Sequence, residues 1–294
     1  MRYAWNLLVP RRCCYIMRAS LTICLCAFAL FGCTESPQTV TKLPKVQKKV
    51  SPLELVPASQ MTRDYAIPVL MYHRISELTP TEKRSRLMRD LTVSPADFEQ
   101  QVRFLKDEGY TFLLVNEIEQ ALFEGRPLPQ KSIAITMDDG YRDNFTEAFP
   151  ILQKYGARAT IFMVTNNFDR PERLAWNEAR QMVASDMEFQ SHSVSHPDLT
   201  ILADQPLRDE LVNSKEILQK GLATSITSLA YPGGAFNEKV VIAVEKAGYL
   251  SAWKKGGGPL QPQNATDPYK LPRVRIHGKT DFAKFKLRAT KGAS

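Results

Sequence analysis

Short apolar runs alternate with amphipathic stretches along the chain from Ile67 onward. The runs are rich in β-branched residues and lack the three- and four-residue spacing of a helical face, so each predicts a buried strand. We expect eight strands, at Pro68–Tyr72, Thr111–Val115, Ile133–Met137, Ala159–Val164, Glu188–Ser191, Ser228–Tyr231, Leu250–Trp253 and Val274–Ile276.

The stretches between these strands carry the end signals of helices. Ser94 suits an N-cap, Pro95 suits the first helical position, and Gly109 is expected to end that helix. Further helices are predicted over Leu207–Leu222 and Asn237–Ala247. Strands that alternate with helices predict one α/β domain with a parallel sheet closed into a barrel. In such folds the chemistry gathers at the C-terminal ends of the strands.

The first 32 residues differ in kind from the rest. They hold four arginines, no acidic residue and the apolar run Leu21–Phe31, which is too short to cross a membrane. The run ends in Leu-Phe-Gly-Cys at Cys33, which resembles a bacterial lipobox. Residues 1–32 are therefore expected to be a lipoprotein signal peptide and Cys33 the lipidated residue. Met17 is an alternative start of translation.

Residues 33–66 read as a flexible tether, because they are rich in Pro, Lys, Thr and Gln and poor in large apolar residues. The folded domain is then expected over residues 67–294. A lipid anchor would place the protein in the cell envelope. Thr34 directly after the anchored cysteine favours the outer membrane of a Gram-negative cell, facing the periplasm.

Composition narrows the chemistry of the folded domain. All five cysteines lie at or before Cys33, so the domain has no disulfide and any metal site must use histidine and carboxylate. The formal net charge of +8 falls to +2 for the region from Ile67 onward. That balance excludes the basic footprint of a nucleic-acid-binding protein.

Two adjacent carboxylates end the third predicted strand. Asp138 and Asp139 repel each other, so folding alone gives no reason to place them together. An ordinary Asp-Gly turn with Gly140 is the alternative interpretation. The position at a C-terminal strand end favours a catalytic pair.

All four histidines of the chain lie at or just after predicted strands: His73, His192, His196 and His277. A single histidine there is more often structural than catalytic. His192 and His196, four residues apart, can form a two-His-one-Asp set with a carboxylate. Such a set leaves positions on a metal ion open for water and substrate.

The stretches TMDDG, HSVSHP and AYPGG, in this order, resemble the motifs of the polysaccharide deacetylase family (the NodB-homology domain, carbohydrate esterase family four) over roughly residues 67–285. MYHRI and LPRVRI further resemble the branch that contains the biofilm poly-β-1,6-N-acetylglucosamine N-deacetylases. The resemblance implies a distorted (β/α) barrel and the hydrolysis of N-acetyl groups on a glycan. It also implies a divalent metal ion, Zn²⁺ first, with Co²⁺, Ni²⁺ or Fe²⁺ as alternatives.

The motif matches imply a role for individual residues. The metal ligands would be Asp139, His192 and His196, and the general base would be Asp138. Contacts to the oxyanion and the substrate would come from Gly233, Tyr231, Tyr141 and Arg273, the last by orienting the base. The catalytic acid would be His73, as in the biofilm branch, in preference to His277, which fills this role in many other members, because LPRVRI resembles a segment of that branch without a catalytic histidine. Tyr141 and Trp176 could offer a ring face to a sugar, although core packing is the commoner role of such a tryptophan.

The function expected from these matches is metal-dependent deacetylation of an extracellular N-acetylhexosamine polysaccharide, most simply poly-β-1,6-N-acetylglucosamine. Peptidoglycan and chitin oligosaccharides are alternative substrates, and a non-catalytic glycan-binding lipoprotein is the alternative from another class. A non-haem iron oxygenase shares the ligand set but not the strand–helix alternation. The expected partners are the glycan, a membrane reached through the lipid anchor and an exopolysaccharide export complex, with no nucleic acid.

Overall fold

The computed structural model describes residues 55–56, 67–260 and 267–291. All eight predicted strands are present, with ends that shift by a few residues. In chain order the strands are β1 (Leu55–Val56), β2 (Val69–Tyr72), β3 (Arg74–Ile75), β4 (Thr92–Val93), β5 (Thr111–Leu113), β6 (Leu128–Pro129), β7 (Ser132–Asp138), β8 (Thr160–Met163), β9 (Glu188–Ser191), β10 (Ser228–Ala230), β11 (Ser251–Gly257) and β12 (Leu271–Arg275).

The helices of the described ranges are α1 (Arg86–Leu91), α2 (Pro95–Asp107), α3 (Val115–Glu124), α4 (Phe149–Tyr155), α5 (Trp176–Val183), α6 (Asp204–Leu222), α7 (Glu238–Lys246) and α8 (Phe282–Lys291). Three of them were predicted, namely α2, α6 and α7, and their ends lie within three residues of the predicted ones. The Ser94 side chain caps α2 by accepting a hydrogen bond from the Asp97 N–H at 3.1 Å. Helix α6 begins three residues before the predicted start, because Pro206 is tolerated in a first helical turn.

Seven parallel strands form a closed ring in the order β2–β12–β11–β10–β9–β8–β7, with β7 pairing back to β2. The eighth strand, β5, pairs only with the first half of β7, while β8 pairs with its second half. This split pairing distorts the barrel, as expected from the family resemblance. Because every pair in the ring is parallel, the C-terminal ends of all these strands meet at one rim.

Alternate residues of the barrel strands pack into two different hydrophobic clusters. Val69, Ala134 and Phe162 belong to a small cluster, whereas their neighbours along the same strands join the large cluster that contains the outer helices. The small cluster is therefore the barrel interior. Val115 and Ile118 of α3 belong to it, so α3 closes the N-terminal end of the barrel.

Two short pairings lie outside the ring: β3 runs parallel to β4, and β1 pairs antiparallel with β6. The β1 residues fall within the stretch predicted as a tether. The predicted signal peptide and Cys33 lie outside the described residues, so the predicted domain boundaries stay predictions. Within the described ranges, no helix combines the length and the hydropathy needed to cross a bilayer.

Candidate active site

A cavity of about 540 Å³ opens at the C-terminal rim of the barrel. Its lining includes nine of the predicted site residues: His73, Asp138, Asp139, Tyr141, His192, His196, Tyr231, Gly233 and Arg273. These residues come from five separate segments of the chain. The parallel ring brings them together because four of the segments lie at the C-terminal end of a strand, and Arg273 reaches the cavity from within β12.

Asp139, His192 and His196 converge on one point in this cavity. The Nε2 atoms of the two histidines each lie 3.5 Å from Asp139 Oδ1, and one ligand atom from each residue lies within 4.8 Å of the others. Asp139 Oδ1 is buried and has no hydrogen-bond partner among the described residues. A buried carboxylate oxygen without a partner is costly, and a cation between the three groups would remove that cost. The donor set therefore fits a divalent metal ion.

The surroundings of His192 keep its imidazole neutral. Its Nδ1 lies 2.7 Å from the Ala230 carbonyl oxygen, which places the ring proton on Nδ1 and leaves the Nε2 lone pair facing Asp139. Burial lowers the pKa of His192, although the nearby charges of Asp138 and Asp139 act in the opposite direction. A neutral imidazole is the form that binds metal.

The local backbone around the ligands is strained. Asp139 and His196 adopt left-handed conformations, with φ of 74° and 61°, which residues other than glycine rarely do. Side chains brace both positions: Asn167 Nδ2 donates to the Asp139 carbonyl oxygen at 2.9 Å, and Ser193 Oγ accepts from the His196 N–H at 3.0 Å. Gly140 follows with φ 69°, and a Cβ there would lie 2.0 Å from the Met163 sulfur.

Asp138 has a different partner from its neighbour. Arg273 donates two hydrogen bonds to it, from Nη1 to Oδ1 at 2.6 Å and from Nη2 to Oδ2 at 2.8 Å. Both side chains are almost fully buried. Burial alone would raise the pKa of Asp138, but the charge of Arg273 and its two hydrogen bonds hold that pKa well below its usual range. Asp138 is therefore ionised and fixed in orientation beside the three converging ligands.

His73 follows β2 and lines the same cavity. Its carbonyl oxygen accepts a hydrogen bond from Asn144 Nδ2 at 2.8 Å, and Asp143 Oδ1 accepts from the Ile75 N–H at 3.0 Å, so the segment after the Asp pair braces this one. Burial lowers the pKa of His73, and the charges of Asp138 and Asp139 partly oppose this. An imidazolium with a lowered pKa gives up its proton more readily.

The structure does not bring His277 to this cavity. It lines a neighbouring cavity of about 260 Å³ that shares Arg273 and Arg275 with the first, and its Nδ1 accepts a hydrogen bond from the Lys279 N–H at 3.1 Å. Of the two histidines considered as catalytic acid, only His73 shares the cavity with Asp138. The geometry therefore favours His73 over His277.

The remaining predicted site residues line the walls of the cavity. Gly233 is exposed on the cavity wall with φ 62°, and no heavy atom of the described residues lies within 4 Å of a Cβ built there, so this wall is open. Tyr231 is buried and donates its hydroxyl to the Tyr269 carbonyl oxygen at 2.9 Å. Arg173 lies 3.9 Å from the centre of the Tyr141 ring, so it already covers a face that a sugar could use.

Trp176 packs in the core. Its ring stacks on Phe168 with centroids 3.6 Å apart and lies against Gly221 of α6. Core packing, rather than sugar binding, is therefore its role in this fold.

Several residues of the cavity were missed by the sequence analysis. Leu87 and Asp90 of α1 and Lys255 of β11 line it, and Arg173 Nη1 reaches the Asp139 carbonyl oxygen at 3.4 Å. None of them belongs to a motif. Only the ring closure and the fold of the segment before α2 place them at the rim.

Comparison with known proteins agrees with this geometry. Residues 125–252 match the family described as polysaccharide deacetylase. The chain is 30% identical to the Streptococcus pyogenes deacetylase PplD, solved in complex with acetate, with a TM-score of 0.71 over 76% of this chain and 98% of that one. The polysaccharide deacetylase BC0361 of Bacillus cereus is 33% identical, with a TM-score of 0.67 over 76% and 69% of the two chains.

The name of a further relative states its substrate. The chain is 26% identical over 227 residues to the poly-β-1,6-N-acetyl-D-glucosamine N-deacetylase of Staphylococcus aureus. The aligned region covers 70% of this chain and 77% of that protein. The identity to PplD extends over nearly all of that chain, and the motif residues of this chain share one cavity. The chain therefore belongs to the polysaccharide deacetylase family of enzymes.

Proposed function

We propose that this enzyme removes N-acetyl groups from poly-β-1,6-N-acetylglucosamine in a metal-dependent reaction. The observation that carries the metal dependence is the convergence of Asp139, His192 and His196 around a buried carboxylate oxygen that accepts no hydrogen bond from the described residues. The relative from S. aureus supports the choice of substrate. Placement of His73 in the cavity agrees with that choice, because the MYHRI segment is the part that resembles the biofilm branch.

The proposed chemistry assigns one proton transfer to Asp138 and another to His73. A divalent ion bound by Asp139, His192 and His196 would polarise the acetamide carbonyl and lower the pKa of water. Asp138 accepts the proton of the attacking water, since it is ionised and held by Arg273. Protonated His73 donates a proton to the amide nitrogen as the C–N bond of the tetrahedral intermediate breaks, so the products are acetate and the free amine of a glucosamine unit.

The developing oxyanion needs donors at the position that it comes to occupy. Gly233 offers a backbone N–H at the cavity wall, on a turn that Tyr231 and Pro232 hold through backbone hydrogen bonds from Gly234 at 2.8 Å and Ala235 at 3.2 Å. A rigid turn keeps such a donor in place without reorganisation during the reaction.

Acetate release from a β-1,6-linked N-acetylglucosamine oligomer tests the proposal. The purified protein is first stripped of metal and then supplied with Zn²⁺ or Co²⁺. We expect release only after the metal is restored, and slower release from β-1,4-linked chitin oligomers and from peptidoglycan. Metal-independent release would contradict the metal site, and faster release from another glycan would transfer the substrate assignment to that glycan.

We further propose that the enzyme is a lipoprotein anchored through Cys33 in the cell envelope. The lipobox-like sequence before Cys33 and the extracellular nature of the proposed substrate support this location. Cells that express the protein are fed radiolabelled palmitate and fractionated. Wild-type protein should carry label in the membrane fraction, whereas Cys33→Ala should carry none.

A further inference from the structure

The five-residue loop that carries both histidine ligands is strained in two places. Ser193 and His196 have φ of 66° and 61°, in the left-handed region that residues with a Cβ seldom adopt. Such conformations persist only where the surroundings determine them more strongly than local preference does. The loop therefore needs an external support to keep the two imidazoles aimed at one point.

Glu210 of α6 supplies contacts to the middle of this loop. Its Oε2 accepts hydrogen bonds from the Val194 N–H at 2.8 Å and the Ser195 N–H at 2.9 Å, and its Oε1 accepts from Ser195 Oγ at 2.6 Å. Two successive backbone N–H groups that converge on one oxygen form a concave anion-binding arrangement. Hydrogen bonds to a carboxylate are about twice as strong as neutral ones.

A second contact from the same helix holds the start of the loop. Ser214 lies four residues after Glu210, and therefore on the same face of α6. Its hydroxyl lies 2.8 Å from Ser191 Oγ, and Ser191 Oγ in turn accepts the Ser193 N–H at 3.2 Å. One helix face thus supports the loop at two levels.

We propose that Glu210 is a positioning residue that presets the His192–His196 loop for metal binding before the metal arrives. The inference rests on the proposed function only in that a divalent ion binds at Asp139, His192 and His196. Glu210 contacts neither the ligand atoms nor the cavity, so it acts through the backbone between the two histidines. Residues that orient metal ligands typically change metal affinity by about 10- to 100-fold when they are removed.

Hydrogen exchange in the metal-free protein tests the support directly. Glu210→Ala removes both carboxylate oxygens and with them all three hydrogen bonds, and Glu216→Ala, which replaces an exposed glutamate on the same helix, is the matched control for the loss of charge. We expect faster exchange of the Val194 and Ser195 amides in Glu210→Ala and unchanged exchange in Glu216→Ala. Unchanged protection of both amides in Glu210→Ala would overturn the inference.

Zn²⁺ affinity, measured by competition with a chelator, tests the consequence. Glu210→Ala should bind Zn²⁺ about 10- to 100-fold more weakly than wild type. Its acetate release should recover when Zn²⁺ is saturating, with an unchanged KM for the glycan. A Zn²⁺ affinity within twofold of wild type, or a turnover that saturating Zn²⁺ does not restore, contradicts a role in positioning.

Glu210→Gln keeps the inference testable if the alanine variant does not fold. Its amide oxygen can still accept from the two backbone N–H groups, so we expect a Zn²⁺ affinity between those of wild type and Glu210→Ala. If Glu210→Ala is unfolded, Glu210→Gln must still bind Zn²⁺ more weakly than Glu216→Ala, and equal affinity overturns the inference. Failure of the wild-type protein to bind any Zn²⁺ would instead contradict the proposed metal site.

Discussion

The two neighbouring carboxylates at the end of β7 face different partners. Asp138 is paired with a buried Arg273, whereas Asp139 Oδ1 faces two imidazoles and has no hydrogen-bond donor among the described residues. This geometry suits Asp138 to the proposed role of general base and Asp139 to the proposed role of metal ligand. Adjacent side chains on a strand end can separate in this way because Asp139 leaves the strand in a left-handed conformation.

This division predicts different losses for two substitutions. Asp138→Asn should lower kcat by about 10²- to 10⁴-fold, because the base is lost, while Zn²⁺ affinity changes little. His192→Ala should lose both turnover and Zn²⁺ binding. Acetate release and chelator competition on the same preparations measure the two quantities. Equal loss of Zn²⁺ in the two variants would show that Asp138 is also a ligand.

The placement of His73 and His277 predicts a contrast between two chemically identical changes. His73→Asn should lower kcat by about 10²- to 10⁴-fold, because the amine would leave without a proton donor. His277→Asn should leave kcat near the wild-type value, because that side chain lines another cavity. Acetate release at saturating glycan measures both. A larger loss in His277→Asn than in His73→Asn would reverse the assignment.

At the scale of elements, the packing of helix α6 requires a glycine in its last turn. Gly221 lies one residue before the end of α6, where alanine would normally be the better helix former. A Cβ at Gly221 would lie 2.2 Å from the Trp176 ring, which is already stacked on Phe168. Close approach of α5 to α6 therefore depends on the missing side chain.

Gly221→Ala should destabilise the protein by up to about 2 kcal/mol, because overpacking against a rigid ring costs about 1–3 kcal/mol and the better helix propensity offsets only about 1 kcal/mol of that cost. Urea unfolding measures the free energy, with Lys220→Ala as a control on the exposed side of the same turn. The double variant with Trp176→Leu should recover part of the loss. A Gly221→Ala protein as stable as wild type would mean that the ring can move away freely.

At the scale of the whole molecule, the end of the barrel opposite the cavity contains a buried polar network. Glu188 accepts hydrogen bonds from the Val115 N–H at 2.8 Å, Thr160 Oγ1 at 2.6 Å and Gln190 Nε2 at 2.7 Å. Glu119 of α3 accepts from the hydroxyls that begin β10 and β11. The network ties α3, the helix that closes the barrel, to four strands.

The network predicts a pH-dependent stability. Burial, with a smaller contribution from the charge of Glu119, raises the pKa of Glu188 to about 7 from its usual 4.5, although its hydrogen bonds act in the opposite direction. Between pH 4.5 and 7 the native state then binds more protons than the unfolded state, so the free energy of unfolding falls as pH rises. A pKa shift of this size lowers the free energy of unfolding by up to about 3 kcal/mol.

Glu188→Gln should remove this dependence, because it resembles the protonated side chain at every pH. Urea unfolding of both proteins at pH 5 and pH 8 isolates the effect from other titrating groups. We expect wild type to lose stability relative to Glu188→Gln on going to pH 8. The same difference between the two proteins at both pH values would contradict a raised pKa for Glu188.

The sequence signal for this network was present but was not recognised. Strands β8 to β11 each begin with a polar residue, namely Thr160, Glu188, Ser228 and Ser251, and all four are buried. Period-two patterning identifies which residues share a face, but it does not show that several strand starts meet around one helix. Glu119 also looks like an exposed residue of an amphipathic helix until α3 is known to enter the barrel.

By itself, the sequence determined the eight strands of the main sheet, the ends of the three predicted helices and the motif residues of the cavity, because period, capping and strand-end position are local properties. Only the tertiary structure kept His277 out of the cavity, showed the two hydrogen bonds by which Arg273 orients Asp138, and placed Glu210 behind the histidine loop. Those residues are distant in the chain, and their contacts depend on how the ring of strands closes. Closure is set by packing across the whole barrel, which no local pattern encodes.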